Sequence, residues 1–305
     1  MQMIVDTHIH LSHSLYDHEF SFVSYEGGQA IIYTKSREAL VQMLKSAGIE
    51  ACIEPAIDIE SNQRLLLLSK QYDGFIFPAV GVHPTRTFQY RTREKNGKTI
   101  NARLLWNQRS QIAELAANPS VVAIGETGLD YHLPRHEQHR LRQKIWFIWQ
   151  LKIAHENRLP VILHVREADD DALRILRKYQ SILHGGVYHC FSGTVETAKK
   201  YNDLGLKLGI GGSLLIDSAR KYQLEQVVIQ MSLEQLVLET DGPFVKPNIP
   251  GLKKKQIKKS RNTSLTLPAV VNRIAELKRI SPEEVERVTT DNAYQLFKLH
   301  KRGAI

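Results

Sequence analysis

Met3-Ile4-Val5-Asp6-Thr7-His8-Ile9-His10-Leu11 opens the chain with a short apolar run that ends in two histidines. The residues at the end of that run decide the fold. A doubly wound open sheet usually sets a glycine-rich phosphate loop directly after its first strand, and Thr7-His8-Ile9-His10-Leu11 is no such loop. Seven more runs of the same kind come later, at 51–57, 75–82, 121–125, 160–165, 187–191, 206–210 and 236–239. All are short, rich in Val and Ile, and apolar on both faces or nearly so, as strands of a fully covered parallel sheet read. Helical candidates lie between and after them, at 36–47, 61–72, 107–117, 135–157, 168–179, 195–204, 217–231, 266–278 and 282–299, the last with Pro282 as a starter. Eight strand-like runs, each followed by a helical stretch, is the arithmetic of a (β/α)8 TIM barrel. The length of 305 residues suits one, since such barrels take about 250 plus insertions. No repeat and no Gly/Ser or Pro linker divides the chain, so residues 1–305 read as a single α/β domain.

Composition excludes several classes. With 42% hydrophobic and 24% charged residues the chain can bury a substantial core, which rules out a disordered or fibrous protein. The longest stretch without Asp, Glu, Lys or Arg, 74–85, is too short to span a bilayer. Asp6, His8 and His10 interrupt the N-terminus before any leader-like apolar run forms, so neither a secretory signal nor a membrane partner is expected. Cys52 and Cys190 lie in apolar runs and read as buried free thiols, weakly favouring a reducing, cytoplasmic setting.

The net charge of +9 is localised. Segment 242–275 carries Lys246, Lys253, Lys254, Lys255, Lys258, Lys259, Arg261 and Arg273 with no Asp or Glu. Segment 85–103 carries Arg86, Arg91, Arg93, Lys95, Lys98 and Arg103 against Glu94 alone. Together they exceed the whole excess, so the rest of the chain is acidic. Clustered cations of this kind recruit polyanions by counterion release, although solvated basic loops are the commoner outcome in general.

A barrel carries its chemistry at the C-terminal ends of its strands. His8 and His10 end the first run, two residues apart and so on one face. His83 ends the third run, Glu126 and Asp130 follow the fourth, and His164 and Arg166 end the fifth. His189 and Ser192 stand at the sixth and Asp241 at the eighth. A lone histidine at a strand end is more often a satisfied core residue than a ligand. Four imidazoles and two carboxylates delivered by five strands to one rim need a counter-ion, and suit one or two divalent cations such as Zn, Mn or Mg.

The motifs Asp6-Thr7-His8-Ile9-His10-Leu11, Gly81-Val82-His83-Pro84, Gly125-Glu126-Thr127-Gly128-Leu129-Asp130-Tyr131, His164-Val165-Arg166, His189-Cys190-Phe191-Ser192-Gly193 and Glu239-Thr240-Asp241-Gly242-Pro243 stand in an order that resembles the TatD family of metal-dependent deoxyribonucleases. The resemblance implies an amidohydrolase-like TIM barrel, two divalent ions, and hydrolysis of DNA phosphodiesters, often from the 3′ end. It would assign His8, His10 and Asp241 to one ion, His164 and His189 to the other, and Glu126 to both. Asp241 and Glu126 would be the catalytic carboxylates, with Asp241 taking a proton from the attacking water. His83, Arg166, Asp130 and Ser192 are the substrate-binding candidates. Amidohydrolases often bridge their metals with a carbamylated lysine; 121–130 contains no lysine, which leaves Glu126 in that position.

Loops 12–35 and 86–106 look longer than the family needs, and the late motif usually Arg-Asn-Glu-Pro is here Arg261-Asn262-Thr263-Ser264. Both basic segments start directly after strand ends, so they are expected to flank the site and to favour DNA, single strands or 3′ ends above all. Phe88, Tyr90 and Trp106 could stack on unpaired bases, although anchoring their loop is the commoner role. Alternatives within the same metal-bearing barrel are amidohydrolase-type hydrolysis of a small molecule, or a subunit of a larger DNA-processing or defence assembly that meets protein partners through loops 12–35 and 86–106.

Overall fold

The computed structural model describes residues 3–87, 102–132, 139–248 and 252–299. Eight parallel strands form one sheet in sequence order: β1 (Ile4–Asp6), β4 (Ile49–Pro55), β5 (Ile76–Val80), β6 (Ala123–Asp130), β7 (Val161–Arg166), β8 (Gly186–Tyr188), β9 (Leu206–Ile210) and β10 (Leu236–Leu238). The first and last strands meet. Thr7 N–H donates to Leu238 O at 2.9 Å, Asp241 N–H to His8 O at 2.8 Å, and Ile9 bridges Gly242 in parallel sense. These bonds close the sheet into the (β/α)8 barrel that the strand count predicts.

Helices α1 (Arg37–Ser46), α2 (Ile59–Gln71), α3 (Ala102–Ala116), α4 (Arg140–Glu156), α5 (Asp169–Lys178), α6 (Val195–Asn202) and α7 (Ala219–Gln230) follow successive strands. Their starts have local causes: Ser36 accepts from Ala39 N–H, and Asp58 and Ser61 cap each other at the head of α2. The runs look apolar on both faces because both faces are buried. One face packs against the helices; the other fills the lumen with Val5, Ala51, Ile53, Ala79, Ala123, Ile162, Val187 and Val237. These side chains pack as one buried cluster, and α10 (Pro282–Phe297) seals the lower end with Ala293 and Phe297, followed by Leu299. Functional groups are therefore confined to the upper rim.

Asp6 ties that rim together. Its fully buried carboxylate accepts from His8 N–H and Thr240 N–H at 3.1 Å each, Thr240 Oγ1 at 2.6 Å and Ser264 Oγ at 2.7 Å. Asp6→Ala strands four donors in a dry site, each worth about 1–3 kcal/mol if left unpaired, so a loss of about 3 kcal/mol or more is expected after relaxation. Urea denaturation of the variant measures it.

Three sequence expectations change. Segment 12–35 is not simply a loop: it contains an antiparallel hairpin, β2 (Phe20–Glu26) and β3 (Gln29–Lys35), turned at Gly27-Gly28 with φ of 56° and 81°. Phe20 and Phe22 are buried in an aromatic chain with Tyr16 and Tyr33, which anchors the hairpin beside the rim. The basic segment likewise holds a short helix, α8 (Lys254–Lys259), before α9 (Leu267–Lys278). Cys190 is only partly buried, at φ 50°, while Cys52 is buried as expected. Most of the 86–106 arm, including Phe88, Tyr90 and the Trp106 side chain, lies outside the described residues, as does the expected helical start at 135–138.

Candidate metal centre

Glu126 is the centre of the rim cluster. The β6–β7 register slips between Ile124 and Thr127, an irregularity of the kind that re-aims a side chain, and Glu126 sits within it. Its Oε1 lies 3.4 Å from His8 Nε2 and 3.2 Å from His10 Nε2. Its Oε2 lies 3.2 Å from His189 Nε2 and 3.5 Å from both His164 Nδ1 and His83 Nε2. Asp241 joins the first group, with Oδ1 3.4 Å from His10 Nε2 and 3.7 Å from His8 Nε2. One carboxylate thus faces two separate sets of imidazoles.

Several contacts cannot be ordinary hydrogen bonds of one network. His8 Nε2 and His10 Nε2 lie 3.2 Å apart, and His164 Nδ1 and His189 Nε2 3.1 Å apart, with all four also turned to Glu126. One proton per pair cannot satisfy every lone pair that converges there. Donors about 2.1 Å from a shared cation stand roughly 3.4 Å from each other in a tetrahedron, close to these separations. Two clusters with ligand atoms mutually within 4.8 Å, His8/His10/Glu126 and His83/Glu126/His164, share the glutamate. The donor set fits divalent cations.

The electrostatics agree. Burial alone would lower His10, but the Asp241 and Glu126 carboxylates outweigh it and push it up to about 10. Burial is likewise overcome at His164 by Asp130 and Glu126, which raise it to about 9. His8 falls to about 4 and His83 to about 3, each through burial and then a neighbouring imidazole. The surrounding imidazoles overcome burial to hold Glu126 well below the usual carboxylate range, and Asp241 is lowered in the same way.

The substrate-binding candidates divide. Arg166 and Ser192 are exposed and line a cavity of about 700 Å3 that also touches His164, His189 and Asp241. Ile216, Leu224 and Val245 give that cavity an apolar side. Cys190 lines it as well. Asp130 is instead buried, with Oδ2 3.1 Å from His164 Nε2. His83 is half-buried against Glu126 and His164 rather than in the open cavity, its Nδ1 accepting from Thr85 N–H at 3.1 Å.

Glu239, quoted in a motif but given no role by the sequence, is the residue that reading missed. It is buried, and one oxygen accepts from Cys190 N–H. Its other oxygen, His8 Nδ1 and His189 Nδ1 have no hydrogen-bond partner, yet a ligand atom of each residue lies within 4.8 Å of the others. The His8 and His189 rings stack at 3.9 Å. Both turn Nε2 to Glu126, so Nδ1 is the ring atom that each keeps without a partner. Gly209 makes room for it, since a Cβ there would stand 2.2 Å from the Glu239 carboxylate. A glycine set against a strand-end acid is the signal, but only the folded barrel pairs the two.

Comparison with known proteins bears on the family and the fold. The family model described as "TatD related DNase" matches residues 5–298. A Bacillus subtilis protein named "Uncharacterized metal-dependent hydrolase YabD" is 30% identical, covering 98% of this chain and 100% of its own length. A "3'-5' ssDNA/RNA exonuclease TatD" from Rahnella is 31% identical over 88% of this chain and 95% of its own. The crystal structure of YjjV, a TatD homologue from Escherichia coli, superposes with a TM-score of 0.76 at 27% identity, over 97% of this chain and 98% of that one. With a barrel closed on itself, a rim of imidazoles around one glutamate and a match from end to end, the chain belongs to the TatD-related DNase family of metal-dependent hydrolases.

Proposed function

We propose that residues 1–305 form one hydrolase domain that cleaves phosphodiester bonds of DNA, as a 3′ exonuclease preferring single strands, in the cytoplasm where Cys52 and Cys190 would stay reduced. The observation that carries this is the two-faced Glu126, with a separate nitrogen set before each oxygen. His8, His10 and Asp241 would hold one divalent ion, Zn, Mg or Mn, and His164 and His189 a second, with Glu126 touching both. Ions so held would supply Lewis acidity toward a phosphodiester and acidify water near neutral pH.

The remaining work falls to the chain's own groups. Asp241 borders the cavity and is held ionised, so its carboxylate can accept a proton from the attacking water. Arg166 and Ser192 line the cavity, where the guanidinium would hold a non-bridging phosphate oxygen and the hydroxyl would donate beside it. The apolar side at Ile216, Leu224 and Val245 suits a nucleobase or sugar face. Asp130 positions His164 by accepting from its ring, and His83 fills the remaining side of Glu126. The names of the nuclease relatives support a nucleic-acid substrate, and RNA is a competing substrate to be measured rather than assumed absent.

A metal-resolved digestion of 5′-labelled single-stranded DNA, duplex DNA and RNA tests the proposal. A ladder shortening from the 3′ end of single-stranded DNA is the expected result. Inertness toward every phosphodiester, with turnover of amides or lactones, would overturn it.

Glu239 is assigned the orientation of His8 and His189 through their Nδ1 protons. Carboxylates that support ligating histidines in this way typically matter by 10–100-fold in metal affinity. Glu239→Gln is therefore expected to weaken metal binding by about that factor, read by chelator competition. Unchanged affinity would show that the carboxylate does not orient these rings.

A further inference from the structure

Between Asp241 and Asn262 the chain leaves the rim and returns to it. The outgoing foot is held where His10 N–H donates to Gly242 O at 2.8 Å. The returning foot is held by the buried Asn262, whose Nδ2 donates to Thr240 O at 2.9 Å and Val245 O at 3.0 Å. Tyr16 donates its hydroxyl to Asn262 O, and Arg261 N–H donates to Ser21 O of the hairpin at 2.7 Å. Both feet therefore stand on the strand end that carries Asp241, and Val245 borders the cavity.

The excursion carries only positive charge. Lys253, Lys255, Lys258 and Lys259 are exposed, and among the described residues none of them, nor Lys246 or Arg261, has a carboxylate within 4 Å of its charged nitrogen. Lys246 donates to Lys258 O at 2.8 Å, which draws the two lysines together. Burial and then the like charges of Arg261 and Lys258 hold the Lys246 ammonium below its ordinary value. Six residues make a marginal helix, and one with this many like charges repels itself. An anion relieves that repulsion. The segment between Val245 and Arg261 contains no aromatic residue, so it offers charge without a stacking surface.

We propose that Lys246, Lys253, Lys255, Lys258, Lys259 and Arg261 grip the phosphate backbone of a single-stranded nucleic acid beyond the nucleotides in the cavity, tethering long strands without reading their sequence. This rests on the nuclease reading and deepens it. A strand with a phosphate at the metal rim passes beside the feet of this segment, which favours nucleic acid over an acidic protein or an anionic membrane. Lysine ammonium groups act as point charges on phosphates and carry no base preference.

The test is the quadruple variant Lys253→Gln, Lys255→Gln, Lys258→Gln and Lys259→Gln in the full-length, metal-loaded enzyme. All four side chains are exposed and outside the rim, so fold and metal content are expected to persist, checked by circular dichroism and metal analysis. Anisotropy of a long labelled single strand across a salt series gives the slope of log K against log salt. Each lysine that no longer meets a phosphate removes about 0.7 from that slope, so the four together should lower it by about 3 and weaken binding at least about tenfold near 0.1 M salt. Hydrolysis of a dinucleotide, too short to reach the lysines, should be unchanged. An unaltered slope for the long strand overturns the tether, as does a variant defect confined to anionic vesicles or to an acidic polypeptide. Turnover of the long strand and the dinucleotide by the unmodified enzyme tests the nuclease reading separately: inertness toward both sinks that reading whatever the slope does.

Discussion

Glu126→Ala is expected to abolish hydrolysis, with kcat/KM falling on the order of 10^4-fold or more, because it removes the carboxylate that stands between the two imidazole sets. The cost is more than one missing ligand. Without the carboxylate, five imidazole nitrogens converge with no negative charge between them, and Asp241 serves only the first set. Glu126→Gln sharpens the test by keeping the volume while turning one oxygen into an N–H donor. An amide can face one nitrogen set as an acceptor but presents hydrogens to the other. Metal analysis should therefore show stoichiometry falling from two ions to one or none, before any rate is measured. Full occupancy and retained turnover in either variant would refute the bridging role.

Stripping divalent ions should abolish turnover completely, and the pH dependence of their return should report the cluster's charge. In the ion-free protein His10, pushed up to about 10, and His164, raised to about 9, both carry protons at neutral pH. A cation requires the free lone pair, so binding must displace those protons. His8 and His83 are already neutral and release none. The direction is then fixed. Affinity rises with pH and gains about two log units per pH unit below about pH 9, so binding at pH 6 is on the order of 10^4-fold weaker than at pH 8. Titration calorimetry in two buffers of different ionisation enthalpy counts the released protons. A count near zero would mean that these imidazoles do not meet the ion.

The strand count, the helix order and the rim histidines were legible because each is local or periodic. Apolar runs covered on both faces read as buried parallel strands, and strand ends name the residues that face the mouth. The features that escaped are different in kind. The hairpin was announced by Gly27-Gly28 between alternating runs, a signal masked by the expectation that a barrel's first crossover is a loop. Glu239 could not be given a role from sequence, since its neighbours His8 and His189 come from strands that meet it only when the barrel closes. Asp130 read as a substrate group because it ends a strand, yet the ring of His164 faces it and takes it out of the open cavity. Partners of buried polar groups depend on register, and register is set by the whole sheet.

The seam between the first and last strands has a temporal meaning. Thr7 and Leu238 are 231 positions apart, and the rim unites His8 and His10 near the start of the chain with Asp241 near its end. A polypeptide emerging from the ribosome holds its two histidines long before the aspartate exists, and loop closure over such a span comes late. A chain that has not yet reached residue 241 therefore cannot assemble this rim, however many of its earlier strands have formed.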